Sequence, residues 1–441
     1  MSGEINMVRI FSMTLVLCGV IVAAAGANAD AATLAISDGT VFTLGSAGKL
    51  EHATVLVEDG KIKAVGTAVK IPSDARVIEA KGRIVTPGLM NSYTDLALDE
   101  IIENAKQTVD SRTEKGSTAA SFDVRYGLNA NSPALAVARI EGLTRAITAP
   151  AVGHSIFAGA GAEIYLGDGA DVLATPRIAM FVDLTSAGRE AAGGSRSAAW
   201  ATMLSGLEES RRYDQNRVAY ERGAQAPYSL KREELEALGP VVRGELPLAI
   251  LANRESDIRN IIALKAERHL KIVLIGGAEA WRAAHELATA KIPVVLNPID
   301  DLPGSFDRIG MTSSNAARLA KAGVMIAFYG SPSFDDGPYG VGKIAALAGI
   351  AVSNGVPWTD ALEAMTANAA RIWGIEAHYG TIEPGKDADL VVWDGDPLEP
   401  SSAPVSVLIR GSDIPLVSRQ TELRDRYLKA NPNHLPPAYS K

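Results

Sequence analysis

Residues 271–296 read KIVLIGGAEAWRAAHELATAKIPVVL, and this stretch decides the fold class. It begins with an apolar run at 271–275, continues through a segment of helical periodicity at 279–290, and ends in a second apolar run at 292–296. Continuous apolar strands joined by a helix are typical of a parallel sheet that is covered on both faces. The stretch therefore predicts an α/β protein built from β-α-β units.

The same alternation extends along the chain in both directions, and a further helical segment is predicted at 315–322. Apolar strands are predicted at 85–89, 144–149, 162–166, 178–184, 248–251, 271–275, 292–296 and 324–328. Eight strands over about 250 residues is the count of a (β/α)8 TIM-type barrel. The third and fourth strands have an alternative interpretation, a hairpin inserted in a loop.

Both ends of the chain have short β segments instead. An Asp59-Gly60 turn between two β-rich runs predicts a hairpin at 55–62, and strand character returns at 389–393 and 405–410. We predict one small composite β-sandwich built from both ends. The predicted organisation is thus a signal peptide (1–29), the first part of the sandwich (30–86), the barrel (87–375), and the second part of the sandwich with a tail (376–441).

Two segments interrupt the alternation of strands and helices. Residues 104–132 are polar, and we predict a long loop over the barrel mouth. Residues 195–223 are charged with helical character, which favours an outer helix.

The composition and the N-terminal segment predict the cellular location and exclude one class of partner. The 441 residues include 43 Lys and Arg and 51 Asp and Glu, which gives a net charge of −8. Basic residues do not cluster anywhere in the sequence, and this argues against nucleic acid as a partner. Arg9, an apolar run at 10–27 and Ala27-Asn28-Ala29 predict a cleavable signal peptide and a periplasmic protein, with an uncleaved anchor as the alternative. Cleavage removes Cys18, the only cysteine, so disulfides and thiolate ligands are excluded from the mature chain.

Four segments carry a resemblance to a known family: 57–62 (VEDGKI), 80–89 (AKGRIVTPGL), 366–372 (TANAARI) and 380–392 (GTIEPGKDADLVV). They resemble the amidohydrolase superfamily, especially its imidazolonepropionase-like and amidohydrolase-related members. The resemblance implies a barrel with a composite β-sandwich that hydrolyses C–N bonds with one or two divalent metals. It further implies ligands at the C-terminal strand ends: His-x-His after the first strand, a lysine or glutamate after the fourth, histidines after the fifth and sixth, and an aspartate after the eighth.

This chain departs from that ligand pattern. Tyr93 and Asp95 stand where the two histidines of the first strand would be, and tyrosine is a poor zinc ligand. After the fifth strand, the position of the expected histidine falls at or beside Leu251. After the sixth strand, Gly276-Gly277 stands where a histidine is expected. After the eighth strand, glycine or serine, near Ser331, stands where the aspartate is expected.

The bridging lysine of the fourth strand is excluded because no lysine occurs between Lys115 and Lys231. We therefore expect no metal and no other cofactor. Zinc would bind only through unorthodox ligands such as Asp95, Glu163 and Asp183.

The candidate pocket is formed by side chains expected near the strand ends: Tyr93, Asp95, His154, Asn253, Arg254, Ser331 and Asp335. For His154 a pocket role and a structural loop role stay open. Arg254 either binds a carboxylate ligand or forms an ion pair with Asp257, and the ion pair is favoured. Asp335 and Asp336 form either an acid–base pair or a solvated loop, and the loop is favoured.

Two functional hypotheses follow from these observations. In the first, the protein is an amidohydrolase acting on a C–N bond with weak or no metal-dependent activity. In the second, it is a non-catalytic pseudoenzyme that binds a small-molecule ligand or serves as the partner subunit of a complete amidohydrolase. A homo-oligomer, or a hetero-oligomer with a related amidohydrolase, is compatible with either hypothesis.

Overall fold

The computed structural model describes residues 33–99, 109–113, 118–169, 171–224, 227–299, 303–330 and 343–428. The predicted signal peptide lies outside these residues. Within the described ranges, no helix has both the length and the apolar character that crossing a bilayer requires.

The central feature is a sheet of eight strands in the order of the chain, from β6 to β13. Its strands are β6 (Leu89–Thr94), β7 (Leu143–Thr148), β8 (Phe157–Tyr165), β9 (Leu173–Asp183), β10 (Leu248–Ala252), β11 (Ile272–Gly276), β12 (Val294–Leu296) and β13 (Ile326–Phe328). The sheet curves until its two edges meet, where the Asn91 side-chain amide donates to the Gly330 carbonyl at 3.4 Å. This nearly closed sheet is a TIM-type barrel, as predicted.

One strand of the barrel runs against the others. β8 pairs antiparallel with both β7 and β9, whereas the remaining pairs of the barrel are parallel. Only residues 149–156 and 166–172 connect these three strands, and a parallel crossover needs about a dozen residues or more. The regular (β/α)8 pattern is therefore wrong at this point: the alternative hairpin interpretation describes the local connection, although the hairpin is part of the barrel wall.

Helices surround the barrel, and the helix Ala367–Trp373 contributes side chains to the interior cluster of the barrel. They are α1 (Pro133–Arg139), α2 (Ser186–Ala191), α3 (Arg196–Glu221), α4 (Arg232–Val242), α5 (Glu255–Arg268), α6 (Ala284–Ala290), α7 (Asn315–Lys321), α8 (Ile344–Ser353), α9 (Trp358–Ala364), α10 (Ala367–Trp373) and α11 (Arg419–Leu428). Helix α3 confirms the predicted helix at 195–223. Of the predicted loop at 104–132, residues 104–108 and 114–117 lie outside the described part.

The two ends of the chain meet in a second sheet. Its strands are β1 (Leu34–Phe42), β2 (Lys49–Glu58), β3 (Lys61–Gly66), β4 (Arg76–Glu79), β5 (Ile84–Pro87), β14 (Leu390–Trp393), β15 (Pro404–Ile409) and β16 (Ser412–Asp413). β14 lies against β5, pairing Leu390 with Pro87, so the N- and C-terminal segments share one sheet. The predicted hairpin is confirmed by β2 and β3, with positive φ at Asp59 and Gly60. The sandwich arrangement itself stays a prediction.

The predicted strand at 85–89 is two strands in different sheets. The chain leaves the terminal sheet after Pro87 and enters the barrel at Leu89, and Gly88 is the residue between them. A Cβ atom at Gly88 would lie 2.2 Å from Thr144 Oγ1, so the close approach to β7 requires glycine. The single-strand prediction is wrong because an unbroken apolar run does not reveal a change of sheet.

Candidate functional site

Tyr93 fills the barrel interior at the C-terminal end of β6. Its ring packs against Phe181, with centroids 6.0 Å apart, and edge-on against Tyr329 at 5.4 Å. Burial raises the pKa of the Tyr93 phenol, and the nearby charge of Asp183 raises it further. The phenol therefore stays protonated and acts as a hydrogen-bond donor rather than as an anionic ligand.

A local irregularity of β6 explains the inward position of Tyr93. The register with β7 shifts between Asn91 and Thr94, and the Asn91 side-chain oxygen accepts a hydrogen bond from the Tyr93 N–H at 3.2 Å. Such bulges redirect side chains at barrel rims. Met90 and Tyr93 consequently both contact the interior cluster of the barrel, although an unbroken alternation would separate them.

Asp95 is the second candidate residue at this strand end, and it is half-buried. Burial, together with the charge of Asp99, raises the pKa of Asp95 from 3.8 to about 7. Within the described ranges, no hydrogen bond or ion pair from another residue reaches its carboxylate. A carboxyl group with a pKa near neutrality can both accept and donate a proton, which is the property of a general acid or base.

The other carboxylates near the mouth have structural partners. Asp183 Oδ1 accepts hydrogen bonds from the Thr185 N–H at 2.7 Å and the Thr185 hydroxyl at 2.6 Å, and burial raises the pKa of Asp183. Asp99 accepts from the Asp110 and Ser111 N–H groups and from the Ser111 hydroxyl. These bonds order the turn after β9 and fix residues 110–111 beside the mouth.

Glu163 lies away from these groups. Glu163 is fully buried near the C-terminal end of β8, where it pairs with Ile147. Its Oε1 accepts from Arg145 Nη1 at 2.6 Å and its Oε2 from the Thr175 hydroxyl at 2.6 Å. Among the described residues, Asp95, Glu163 and Asp183 do not form a group that could hold a metal ion, so the structure does not support a site that combines them.

Arg145 organises a buried ion cluster around Glu163. Its Nε donates to Asp389 Oδ2 at 2.7 Å and its Nη2 to Asp387 Oδ2 at 2.5 Å, and the Arg145 side chain has no exposed surface. Burial opposes the charge of Arg145, but the charges of Asp389 and Glu163 raise its pKa above the ordinary value. Asp387 and Asp389 belong to the segment 380–392, so this motif joins the terminal sheet to the barrel.

His154 and Asn253 have local partners. His154 Nδ1 lies 3.3 Å from the Thr113 hydroxyl, so the histidine links the 149–156 loop to residue 113. Asn253 is buried, its side-chain oxygen accepts from the Ala278 N–H at 3.3 Å, and its carbonyl accepts from the Glu279 N–H. The structure therefore gives Asn253 a role in shaping the turn after β11.

The favoured ion pair between Arg254 and Asp257 is wrong. Asp257 instead accepts from Arg196 at 3.0 Å and from the Trp200 indole N–H at 3.3 Å, and Arg196 also pairs with Asp307. Arg254 precedes α5 and forms no ion pair within the part of the chain that the structure describes. Arg196 was missed because it lies 61 positions from Asp257 and 111 from Asp307.

The remaining candidates, Ser331 and Asp335, lie outside the described residues, as does Asp336. Among the residues that are described, no three His, Cys, Asp or Glu side chains are arranged to hold a metal ion. The described part of the mouth supplies a protonated phenol, the Asp95 carboxyl and the Asp183 carboxyl, which already orders a turn. This donor set does not fit the histidine-rich centre that the resemblance implies.

Comparisons with known proteins agree with the fold. A family model described as "Amidohydrolase family" matches residues 266–418. The chain is 25% identical over 405 residues to the amidohydrolase tasK of Hapsidospora irregularis, covering 80% of this chain and 39% of that protein. It thus spans well under half the length of this curated relative.

Solved structures show the same architecture. An amidohydrolase from Thermotoga maritima MSB8 superposes with a TM-score of 0.77 at 24% identity, covering 88% of this chain and 100% of that one. A molinate hydrolase gives a TM-score of 0.52 at 20% identity over 93% of this chain and 99% of that one. A prolidase complexed with N-methylphosphonate-L-proline gives 0.52 at 18% identity over 87% of this chain and 99% of that one. These matches agree with the resemblance to the amidohydrolase superfamily that the four sequence segments carry, and the solved structures share the barrel fold.

Proposed function

We propose that this protein binds a small molecule at the barrel mouth and lacks the metal-dependent C–N hydrolysis that its superfamily implies. The observation that carries the proposal is Tyr93, whose ring fills the barrel interior between Phe181 and Tyr329. An imidazole in that place would point a neutral nitrogen toward a metal, whereas the phenol keeps its proton.

The charges near the mouth support the same proposal. A divalent cation would have to be held by Asp95 and Asp183 without Glu163, which is bound by Arg145. Asp183 already accepts two hydrogen bonds from Thr185 through one oxygen. About three protein ligands are usual for a catalytic zinc, and two carboxylates supply fewer.

The same residues suit a polar ligand. Tyr93 can donate a hydrogen bond, and Asp95, whose pKa is about 7, can accept or donate one at neutral pH. The ring of Tyr329 adds an apolar surface beside these groups. A small molecule with both polar and flat apolar parts fits this chemistry.

An amide-hydrolysis assay tests the proposal. The purified protein would be incubated with a panel of N-acylated amino acids and amino-acid anilides, with added Zn²⁺ or with a chelator. We expect product to form at the uncatalysed rate in both conditions. Zinc-stimulated hydrolysis that Asp95→Ala abolishes and Asp74→Ala preserves would overturn the proposal. Asp74 is the matched control because it is exposed and lies in the connection before β4.

A further inference from the structure

A second cavity lies at the end of the barrel opposite the mouth. It has a volume of about 430 Å³ and is lined by the residues where four strands begin, among them Pro247, Ile272, Pro293 and Met325. These residues precede or open β10, β11, β12 and β13. We call this space the basal cavity, and its distance from the mouth makes it independent of the function proposed above.

The floor of the basal cavity is apolar. Ile272, Val273, Ile292, Val324 and Ile372 line it, and each is at most 7% exposed, so these side chains form a well-packed surface. Such a surface, open at one side, favours an apolar group of matching size.

The rim of the cavity is basic. Lys265, Lys271, Lys291 and Arg371 line it, and no aspartate or glutamate does. Across the described ranges, none of these four cations has a carboxylate within 4 Å. Their hydrogen bonds are to neutral oxygens, such as the bond from Lys265 Nζ to the Lys291 carbonyl at 2.8 Å.

The positive charge of the rim is only partly compensated. Lys265, Lys291 and Arg371 lie at or near the C-terminal ends of α5, α6 and α10, whose partial negative charge stabilises cations. Glu245 and Glu363 do not line the cavity, but they interact electrostatically with Lys271 and Arg371, respectively. Burial lowers the pKa of Lys265, and the neighbouring charge of Lys291 lowers it further.

We propose that the basal cavity binds an amphipathic organic anion, with its alkyl tail on the apolar floor and its carboxylate bound by the rim lysines. The apolar floor and the acid-free basic rim of one cavity provide both parts of that recognition. A carboxylate would be held by charge-assisted hydrogen bonds, and the tail would be removed from water.

Isothermal titration calorimetry of the full chain with sodium octanoate tests this proposal, with 1-octanol as the neutral probe of similar length. We expect saturable binding of octanoate at one site and much weaker binding of octanol. The variant K265Q/K291Q should weaken octanoate binding by about tenfold or more, which corresponds to about 1.4 kcal/mol. Ala288→Phe, which fills the cavity from α6, should abolish binding.

Two control variants test whether octanoate binds in the basal cavity rather than elsewhere on the protein. Lys70→Gln removes an exposed lysine of the terminal region, and Asp95→Asn changes the mouth; neither should alter octanoate binding. Circular dichroism and the melting temperature verify that each variant is folded. The proposal is overturned by an absence of saturable heat at millimolar octanoate, by equal affinities for octanol and octanoate, or by folded cavity variants that bind like the parent.

Discussion

Replacing Arg145 by methionine should be the most destabilising single change at the junction between barrel and terminal sheet. Arg145 makes hydrogen bonds of 2.5–2.7 Å to three carboxylates and is fully buried. In the variant, Asp387 keeps its ion pair with Lys61 at 2.9 Å. Asp389 loses its only cationic partner among the described residues. Glu163 keeps only His378, whose Nε2 lies 3.8 Å from its carboxylate. Breaking a buried ion pair by removing one partner costs about 3–5 kcal/mol, and we expect a loss in this range.

Urea unfolding followed by tryptophan fluorescence measures this loss of stability. The double variant R145M/E163Q should recover part of the loss, because it removes one uncompensated charge. A loss below about 1 kcal/mol, which is typical of exposed pairs, would show that the cluster does not have the assigned energetic role.

Three further predictions concern the mouth. Asp95→Asn should be more stable than the parent at pH 8 by at most about 4 kcal/mol. The pKa of Asp95 is raised from 3.8 to about 7 in the folded protein, so the parent loses stability as the pH rises between these values. Urea unfolding from pH 4 to 8 tests this, and parallel curves of stability against pH for the two proteins would contradict it. Tyr93→Ala should lower the free energy of unfolding by about 3 kcal/mol, because it removes the ring that packs on Phe181. Tyr93→Phe keeps the ring and should lower it by less than about 1.5 kcal/mol. Equal melting temperatures of the two variants would refute this prediction. Asn253→Ala should cost about 1–3 kcal/mol and accelerate hydrogen exchange of the Ala278 amide, and unchanged exchange would exclude the assigned role of Asn253 in the turn.

The barrel could be predicted because its strands are apolar in uninterrupted runs. The hairpin at Asp59-Gly60 was equally predictable, since its turn needs positive φ at both residues. The antiparallel direction of β8 was predicted only as an alternative, the hairpin interpretation, because apolar runs do not encode strand direction. The shortness of residues 149–156 and 166–172 was the available signal, since neither connection can hold a crossover.

The candidate site was predictable in part. Tyr93 and Asp95 were chosen because the pattern of the family that the chain resembles puts two ligands at these positions after Gly88, and the structure places Tyr93 at the C-terminal end of β6. Ion pairs could not be predicted: Arg145 and Asp389 are 244 positions apart, and nothing in either local sequence specifies the partner. The same reason explains why Asp257 was assigned to its neighbour Arg254 rather than to Arg196.

The metal content of the purified protein tests the central claim most directly. The protein would be prepared without chelator and analysed by plasma mass spectrometry, in parallel with Asp95→Ala and the control Asp74→Ala. The account predicts substoichiometric metal that neither substitution changes. About one or two equivalents of zinc, lost on Asp95→Ala and retained on Asp74→Ala, would contradict it and restore a metal-dependent hydrolase.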